Sequence, residues 1–300
     1  MDFNKTIKDI KSLKIQGAKA VAKSAILALK QIIRKSHTAT KYSLLDELKQ
    51  AKKMLLKTRP TEPCMHNSLN YVLNNLDVKD IISLKALLDE RIKKAIEHLD
   101  KSEQIIAKIG AKKIKNGMII FTHCHSSAVM AILKYAKKQG KKFEVHATET
   151  RPLFQGRITA AELSKAKIPV TLFVDSAARL ALKKADLFLF GADAITSEGK
   201  IINKIGTELF AEVAYRYDIP TYSCTDSWKF DPKTIFGIDE KIEKRNLKEI
   251  WKNAPKNVNI FNAAFEKIKS ESVTGIISEL GVYKPELCIE MVKEAYPWTF

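Results

Sequence analysis

The sequence predicts an α/β protein: an N-terminal helical domain over residues 1–112, followed by a Rossmann-like parallel sheet flanked by helices over residues 113–300. Three observations predict it. Up to about residue 110, apolar residues recur at three- and four-residue steps, the spacing of one helix face. After Gly117, short apolar runs alternate with helical segments of about ten residues, the pattern of βαβ units and a parallel sheet. Polar, titratable residues then gather where the apolar runs end, which is where such sheets bind ligands.

Residues 5–57 read as helix. Ile7, Ile10, Leu13, Ala18, Val21, Ala25, Ile32 and Ile33 share one face. After a break near Ser36-His37-Thr38 the rhythm resumes with Leu44, Leu45, Leu48, Ala51, Met54 and Leu55. Gly17 interrupts this pattern at a cost of about 1 kcal/mol relative to alanine, which points to a kink or to a close approach by a ligand or neighbour. "TRPTEP" (58–63) is a loop, because two prolines remove backbone donors and disfavour helix before them. Residues 80–114 form a long amphipathic helix, with Ile81, Leu84, Leu88, Ile92, Ile96 and Leu99 on its apolar face.

The second half reads as "MIIFT", "SAVMAILKYAKKQG", "KFEVHAT", "TAAELSKAK", "PVTLFV", "SAARLALKKA", "DLFLFG", "GTELFAEVAYRYD" and "PTYSC". Its strands end at Thr122-His123-Cys124-His125-Ser126-Ser127, Thr148-Glu149-Thr150-Arg151-Pro152, Asp175-Ser176, Gly191-Ala192-Asp193 and Cys224-Thr225-Asp226-Ser227. At the third end, Ser176 or Asp175 is placed to cap the next helix.

Composition narrows the function classes. A chain of 300 residues suits two domains. No apolar run reaches the ~18–20 residues of a membrane span, and the N-terminus lacks an apolar secretory segment, so a cytoplasmic location is expected. Cys64, Cys124, Cys224 and Cys288 are far apart with no CxxC or CxxH spacing, which argues against a zinc ribbon and for free thiols. The net charge of +18 attracts phosphates, or reflects a lysine-rich solvated surface. The lysines are spread along the chain without interleaved aromatics, so nucleic acid is not the expected partner.

"HCH" at 123–125 is a poor metal motif, since successive residues leaving a strand point to opposite faces. Cys124 precedes the start of a Ser-Ser-Ala helix, whose dipole would lower a thiol pKa; the alternative is a small buried packing residue. In "GADAITSEGKIINKIGT" (191–207), Asp193 follows an apolar strand and is a candidate general acid or base, or else a turn carboxylate. Ser197-Glu198-Gly199-Lys200 reads as a turn. Asn203 and Lys204 precede a helix start at Gly206-Thr207, a combination that suits a phosphate; the alternative for Lys204 is a solvated surface lysine.

Taken in order, "THCHSS", "TETRPLFQGRITAAEL", "VDSAAR", "GADAI…INKIGT" and "SWKFDP" resemble one superfamily. It comprises methylthioribose-1-phosphate isomerases, archaeal ribose-1,5-bisphosphate isomerases, and the alpha, beta and delta subunits of translation initiation factor 2B. The resemblance runs from "IQGA" near residue 15 to "ISELGVYKP" at 277–285 and is most specific over 118–232. The cysteine after the first strand and the aspartate of "GAD", here Cys124 and Asp193, look like those of the isomerases. "RPT" and "THCHS" look most like the ribose-1,5-bisphosphate branch.

That branch implies conversion of ribose 1,5-bisphosphate to ribulose 1,5-bisphosphate in AMP breakdown, with Cys124 and Asp193 as the acid/base pair. It implies no redox cofactor and no metal. Substrate contacts carry over to Gln16, Gly17, Ala18, Lys19, Arg59, Ser126, Ser127, Ala128, Asn203, Lys204 and Lys229. It also implies a homo-oligomer, dimer or hexamer, and AMP activation fits the pathway. One departure stands out: the isomerases read "RGAG" where this chain reads "QGAK", so Gln16 lacks the guanidinium that clamps a phosphate, and Lys19 is the residue that could replace the charge.

Two classes of function compete on this reading. An isomerase has a reactive Cys124 in a basic cleft between the helical domain and the sheet. An initiation-factor-2B-like subunit that binds initiation factor 2 has a protein-binding surface and needs neither Cys124 nor Asp193. Isomerisation of methylthioribose 1-phosphate is the third possibility.

Overall fold

A computed structural model describes residues 2–239 and 242–300. The chain forms two compact units, residues 1–101 with 296–300, and residues 102–295.

The first unit is helical. It contains α1 (Phe3–Lys11), α2 (Ala18–Lys35), α3 (Lys41–Leu56), α4 (Pro63–Leu73) and the first part of α5 (Ile81–Ala111). Asp2 caps α1 and Thr40 caps α3, each accepting a first-turn N–H through its side-chain oxygen. Two boundaries differ from the expectation. The helical rhythm breaks a second time, over residues 12–17. The segment after the prolines is α4, with Pro63 at its first position, where its missing N–H costs nothing. Gly17 is not inside a helix. It lies at the N-cap of α2 with φ +83°, and a Cβ there would meet nothing within 4 Å. The glycine therefore answers to backbone conformation, not to a close approach.

The second unit is built on a seven-stranded sheet of order β10-β9-β7-β4-β1-β2-β3. Its strands are β1 (Ile119–Thr122), β2 (Glu144–Thr148), β3 (Val170–Phe173), β4 (Leu187–Phe190), β7 (Thr221–Cys224), β9 (Gly275–Ser278) and β10 (Gly281–Tyr283). All neighbours are parallel except β9 and β10. Helices cover both faces. On one, α6 (Ser127–Lys138) and α7 (Gln155–Lys165) join a core containing Ile120, Val145, Leu189, Val129, Leu133 and Leu163. On the other, α9 (Thr207–Arg216) sets Phe210 edge-on to Phe121, which stacks in the same way on Phe188.

From β1 the chain winds outward through β2 to β3, then returns to place β4 on β1's other side. The two halves diverge between β1 and β4, which is the topological switch point. A small antiparallel sheet, β5 (Ala194–Ile195), β6 (Ile201–Lys204) and β8 (Phe265–Ile268), follows β4. The expected turn at 197–199 joins β5 to β6. The five parallel strands from β1 to β7 match the sequence expectation; this second sheet does not appear in it, because its strands lie outside the strand–helix alternation.

Candidate active site

Cys124 sits at the switch point, two residues beyond β1. Its backbone is left-handed, φ +67°, a conformation that costs a non-glycine residue on the order of 1–2 kcal/mol. Hydrogen bonds on both sides hold it there. The Cys124 N–H donates to Thr150 Oγ1 at 3.0 Å, and the Thr159 hydroxyl of α7 donates to the Cys124 carbonyl at 2.8 Å. Because Thr159 spends its proton on that carbonyl, its oxygen accepts from His125 Nδ1–H at 3.0 Å.

His123 is buried beneath the site. The Ile205 carbonyl can only accept, so Nε2 carries the proton and donates to it at 3.0 Å, and Nδ1 accepts from the Thr148 hydroxyl at 2.5 Å. Both imidazole nitrogens are thus engaged within the protein. Burial lowers the His123 pKa from 6.5 to about 4. The fold therefore favours the neutral ring. This stabilisation is complete above pH 6.5 and is lost as pH falls towards 4, a loss of about 3 kcal/mol. Urea unfolding at pH 7 and pH 5 is expected to show this acid-side loss in the wild type and a flatter response in His123→Gln; equal slopes would refute the assignment.

The Cys124 thiol departs from expectation. The start of α6 does not make it acidic: burial pushes its pKa up to about 11, although the residue keeps partial exposure. The positive charge of Lys204 opposes this, while Asp193 and Asp175 reinforce it. Lys204, at the end of β6, is 8 % exposed, with its ammonium 5.0 Å from the centre of the Phe265 ring. Among the described residues it has no carboxylate or hydrogen-bonding partner, so it is not the solvated surface lysine that the sequence also allowed.

Gly191 after β4 lies against the start of α6; a Cβ there would come within 2.7 Å of Ser126 Oγ. Ser126 caps α6, accepting the Val129 N–H at 3.4 Å. The N–H groups of Ser127 and Ala128 have no acceptor among the described residues, the usual state of the first N–H groups of a helix. Asp193 is half-buried, held by its N–H to the Ile202 carbonyl at 2.7 Å. Lys229 donates to the neighbouring Ala192 carbonyl at 2.5 Å. Asn203 donates to Thr207 Oγ1 at 3.0 Å, an internal bond that leaves its carbonyl oxygen for a ligand.

Two expectations are corrected here. The start of α9 is not an open phosphate site, because the Glu266 carboxylate on β8 already accepts the Glu208 N–H at 2.7 Å. Neither Asp175 nor Ser176 caps the helix that follows. Asp175 instead accepts the backbone N–H groups of Thr150 at 2.8 Å and Arg151 at 2.6 Å.

The other predicted site residues lie in the first unit. Gln16 is exposed, with its amide donating to the Leu13 carbonyl at 2.6 Å. Ala18 is buried at the start of α2. Lys19 pairs with Asp100 at 3.1 Å, and Lys23 donates to the same carboxylate, so the Lys19 charge is already shared. Arg59 pairs with Glu62 at 3.2 Å, both largely buried. The sequence reading missed Thr148, Thr150, Thr159 and Asp175 as parts of the site. No local pattern tells that the three threonines turn back to residues 123 and 124, or that Asp175 holds residues 150 and 151.

A backbone-clamped cysteine, a buried lysine and a carboxylate loop at the switch point place this chain among doubly wound α/β proteins, whose ligands bind at that point. The chain belongs to the Initiation factor 2 subunit family, whose pattern matches residues 14–285. It is 38% identical over 301 residues to the ribose 1,5-bisphosphate isomerase of Pyrococcus furiosus, covering 97% of this chain and 93% of that one. It is also 38% identical over 300 residues to the ribose 1,5-bisphosphate isomerase of Thermococcus kodakarensis, with coverage of 97% and 93%. Among solved structures, translation initiation factor eIF-2B of Pyrococcus horikoshii OT3 superposes with a TM-score of 0.83 at 28% identity, over 96% of this chain and 98% of that one.

Proposed function

We propose that the protein is a ribose-1,5-bisphosphate isomerase that forms ribulose 1,5-bisphosphate in AMP breakdown. One observation carries the reading: Lys204, only 8 % exposed and without a carboxylate or hydrogen-bonding partner among the described residues, lies close enough for its charge to act on the Cys124 thiol. A phosphate supplies the partner that this ammonium lacks, in a charge-assisted hydrogen bond. The N–H groups at the start of α6 offer that phosphate further donors. The names of the P. furiosus and T. kodakarensis relatives support the same substrate.

The reaction moves protons within one molecule. Cys124 takes the proton from carbon 2 while Asp193 delivers one to the ring oxygen as its bond to carbon 1 breaks. The resulting enol gives its hydroxyl proton back to Asp193, and Cys124 returns a proton to carbon 1, leaving the ketone at carbon 2. Atoms and charge balance, and each acid/base group ends as it began. A thiol of high pKa is scarce as thiolate but strongly basic, which suits abstraction from carbon. Lys229, through the Ala192 carbonyl, steadies the loop that carries Asp193. Gln16, Gly17, Ala18, Lys19, Arg59 and Asn203 complete the substrate contacts in this reading, and a homo-oligomer activated by AMP completes the proposal.

The test is direct turnover of ribose 1,5-bisphosphate, with and without AMP, by the wild type and by Lys204→Met. Lys204→Met is expected to lower kcat/KM by about 100-fold, the worth of one charged hydrogen bond in a buried site. No turnover by the folded wild type would sink the assignment. The likeness to the P. horikoshii initiation factor and the neutral Gln16 favour a second reading, a subunit that binds initiation factor 2. Binding of that factor unaltered by Cys124→Ser, in a protein inert towards the sugar, would establish it.

A further inference from the structure

We infer that Asp175 is a positioning residue for Cys124, acting through Thr150. The inference rests on the isomerase reading for its kinetic consequence, but its geometric content is independent of the substrate. Asp175 follows the edge strand β3 and projects both carboxylate oxygens onto consecutive N–H groups, Oδ1 to Thr150 and Oδ2 to Arg151. Neither oxygen serves the short helix that starts beside it. A carboxylate at that point in the sequence would ordinarily cap the helix; here it fixes a loop from another strand.

Thr150 has no exposed surface and is itself left-handed, φ +63°. Its Oγ1 accepts the Cys124 N–H at 3.0 Å. Two left-handed non-glycine residues on adjacent strand ends are thus linked in series, and neither conformation is favourable alone. The carboxylate at the far end of the series satisfies the N–H of the strained Thr150, and the hydroxyl of Thr150 satisfies the N–H of the strained Cys124. Thr159 holds the opposite side of Cys124 from α7. Loss of the Asp175 anchor frees Thr150, and with it the direction in which the thiol points.

The charged groups that face the thiol are Lys204, Asp193 and Asp175, with His125 next in the chain. Asp175→Asn removes one negative charge from that set. It also puts an amide N–H against one of two backbone N–H groups, so one of the paired hydrogen bonds is lost. Asp175→Glu keeps the charge and both acceptors.

The experiment compares the full-length wild type, Asp175→Asn and Asp175→Glu in two ways. The first measures kcat and KM for ribose 1,5-bisphosphate. The second measures the rate of iodoacetamide alkylation of Cys124 against pH, corrected with Cys124→Ser; the other cysteines are buried. In Asp175→Asn, kcat is expected to fall about 100-fold, the effect of a displacement near 1 Å, with KM within about twofold. The alkylation midpoint is expected to move to lower pH, and Asp175→Glu is expected to recover at least part of both changes. An unchanged alkylation profile in folded Asp175→Asn overturns the inference whether or not the sugar is turned over. So do parallel changes in kcat, KM and thermal stability without recovery in Asp175→Glu, the outcome of a merely structural role. A wild type inert towards the sugar, whose alkylation profile still responds to Asp175→Asn, supports the positioning role and discards only the isomerase reading.

Discussion

Cys124→Ser is expected to lower kcat for ribose 1,5-bisphosphate by about 10²–10⁴-fold, with the substrate still bound and the fold intact. The fold survives because nothing that holds residue 124 belongs to its side chain. The bonds from the Cys124 N–H to Thr150 and from Thr159 to the Cys124 carbonyl are both to backbone atoms. A serine in the same left-handed conformation keeps both. It does not keep the proton chemistry, since a hydroxyl is a far weaker acid than a thiol, even one pushed up to about 11. Asp193→Asn is expected to be comparably inactive, and the double variant no worse than the single ones, because the two groups act in one sequence of proton transfers. Steady-state turnover of the three variants, with substrate affinity measured separately, checks this. Retention of wild-type kcat within about threefold in Cys124→Ser would remove the thiol from the mechanism.

Gly156→Ala is expected to destabilise the second unit by about 3 kcal/mol and to inactivate the protein as well. A Cβ at residue 156 would lie 1.7 Å from the Thr148 carbonyl oxygen and 2.8 Å from its carbon. No side-chain rotation relieves a clash with backbone, so α7 must move away from β2. Thr159 is one turn further along α7 and holds the Cys124 carbonyl, so the displacement reaches the thiol directly. Thermal unfolding is expected to show a midpoint lower by about 6–12 °C, taking about 2–4 °C per kcal/mol for a unit of this size. A midpoint unchanged within about 2 °C would mean that α7 does not pack so closely. The comparison with Cys124→Ser separates the two effects, one chemical at constant stability and one structural.

Much of this was legible in the sequence. Periodicities of 3.6 and 2 are local, so the long helix at 81–111 and the five parallel strands from β1 to β7 emerged from apolar spacing alone. The rule that ligands gather at carboxyl ends of parallel strands points to the five strand ends, and the resemblance to the isomerases picks out Cys124 and Asp193 among them. Pro63 reads as a break in the sequence and is the first residue of α4 in the structure, since proline both ends one helix and begins another. The strands β5, β6 and β8 are not legible because they lie outside the strand–helix alternation that marks the parallel strands.

By itself, then, the sequence determined the alternation of strands and helices, the residues at each strand end and the family motifs those residues compose. Tertiary structure alone decided which ends meet and what each polar group does there. Asp175 stands beside a helix start in sequence yet bonds a loop 24 and 25 residues away, and Glu266 reaches 58 residues back to close the start of α9. The thiol shows the same division. Its place before α6 argued for a lowered pKa, a short-range effect readable from neighbours, but burial among distant segments outweighs the helix dipole and raises it. Propensity and period act over a few residues, whereas desolvation and side-chain hydrogen bonds depend on distances that only the folded chain sets.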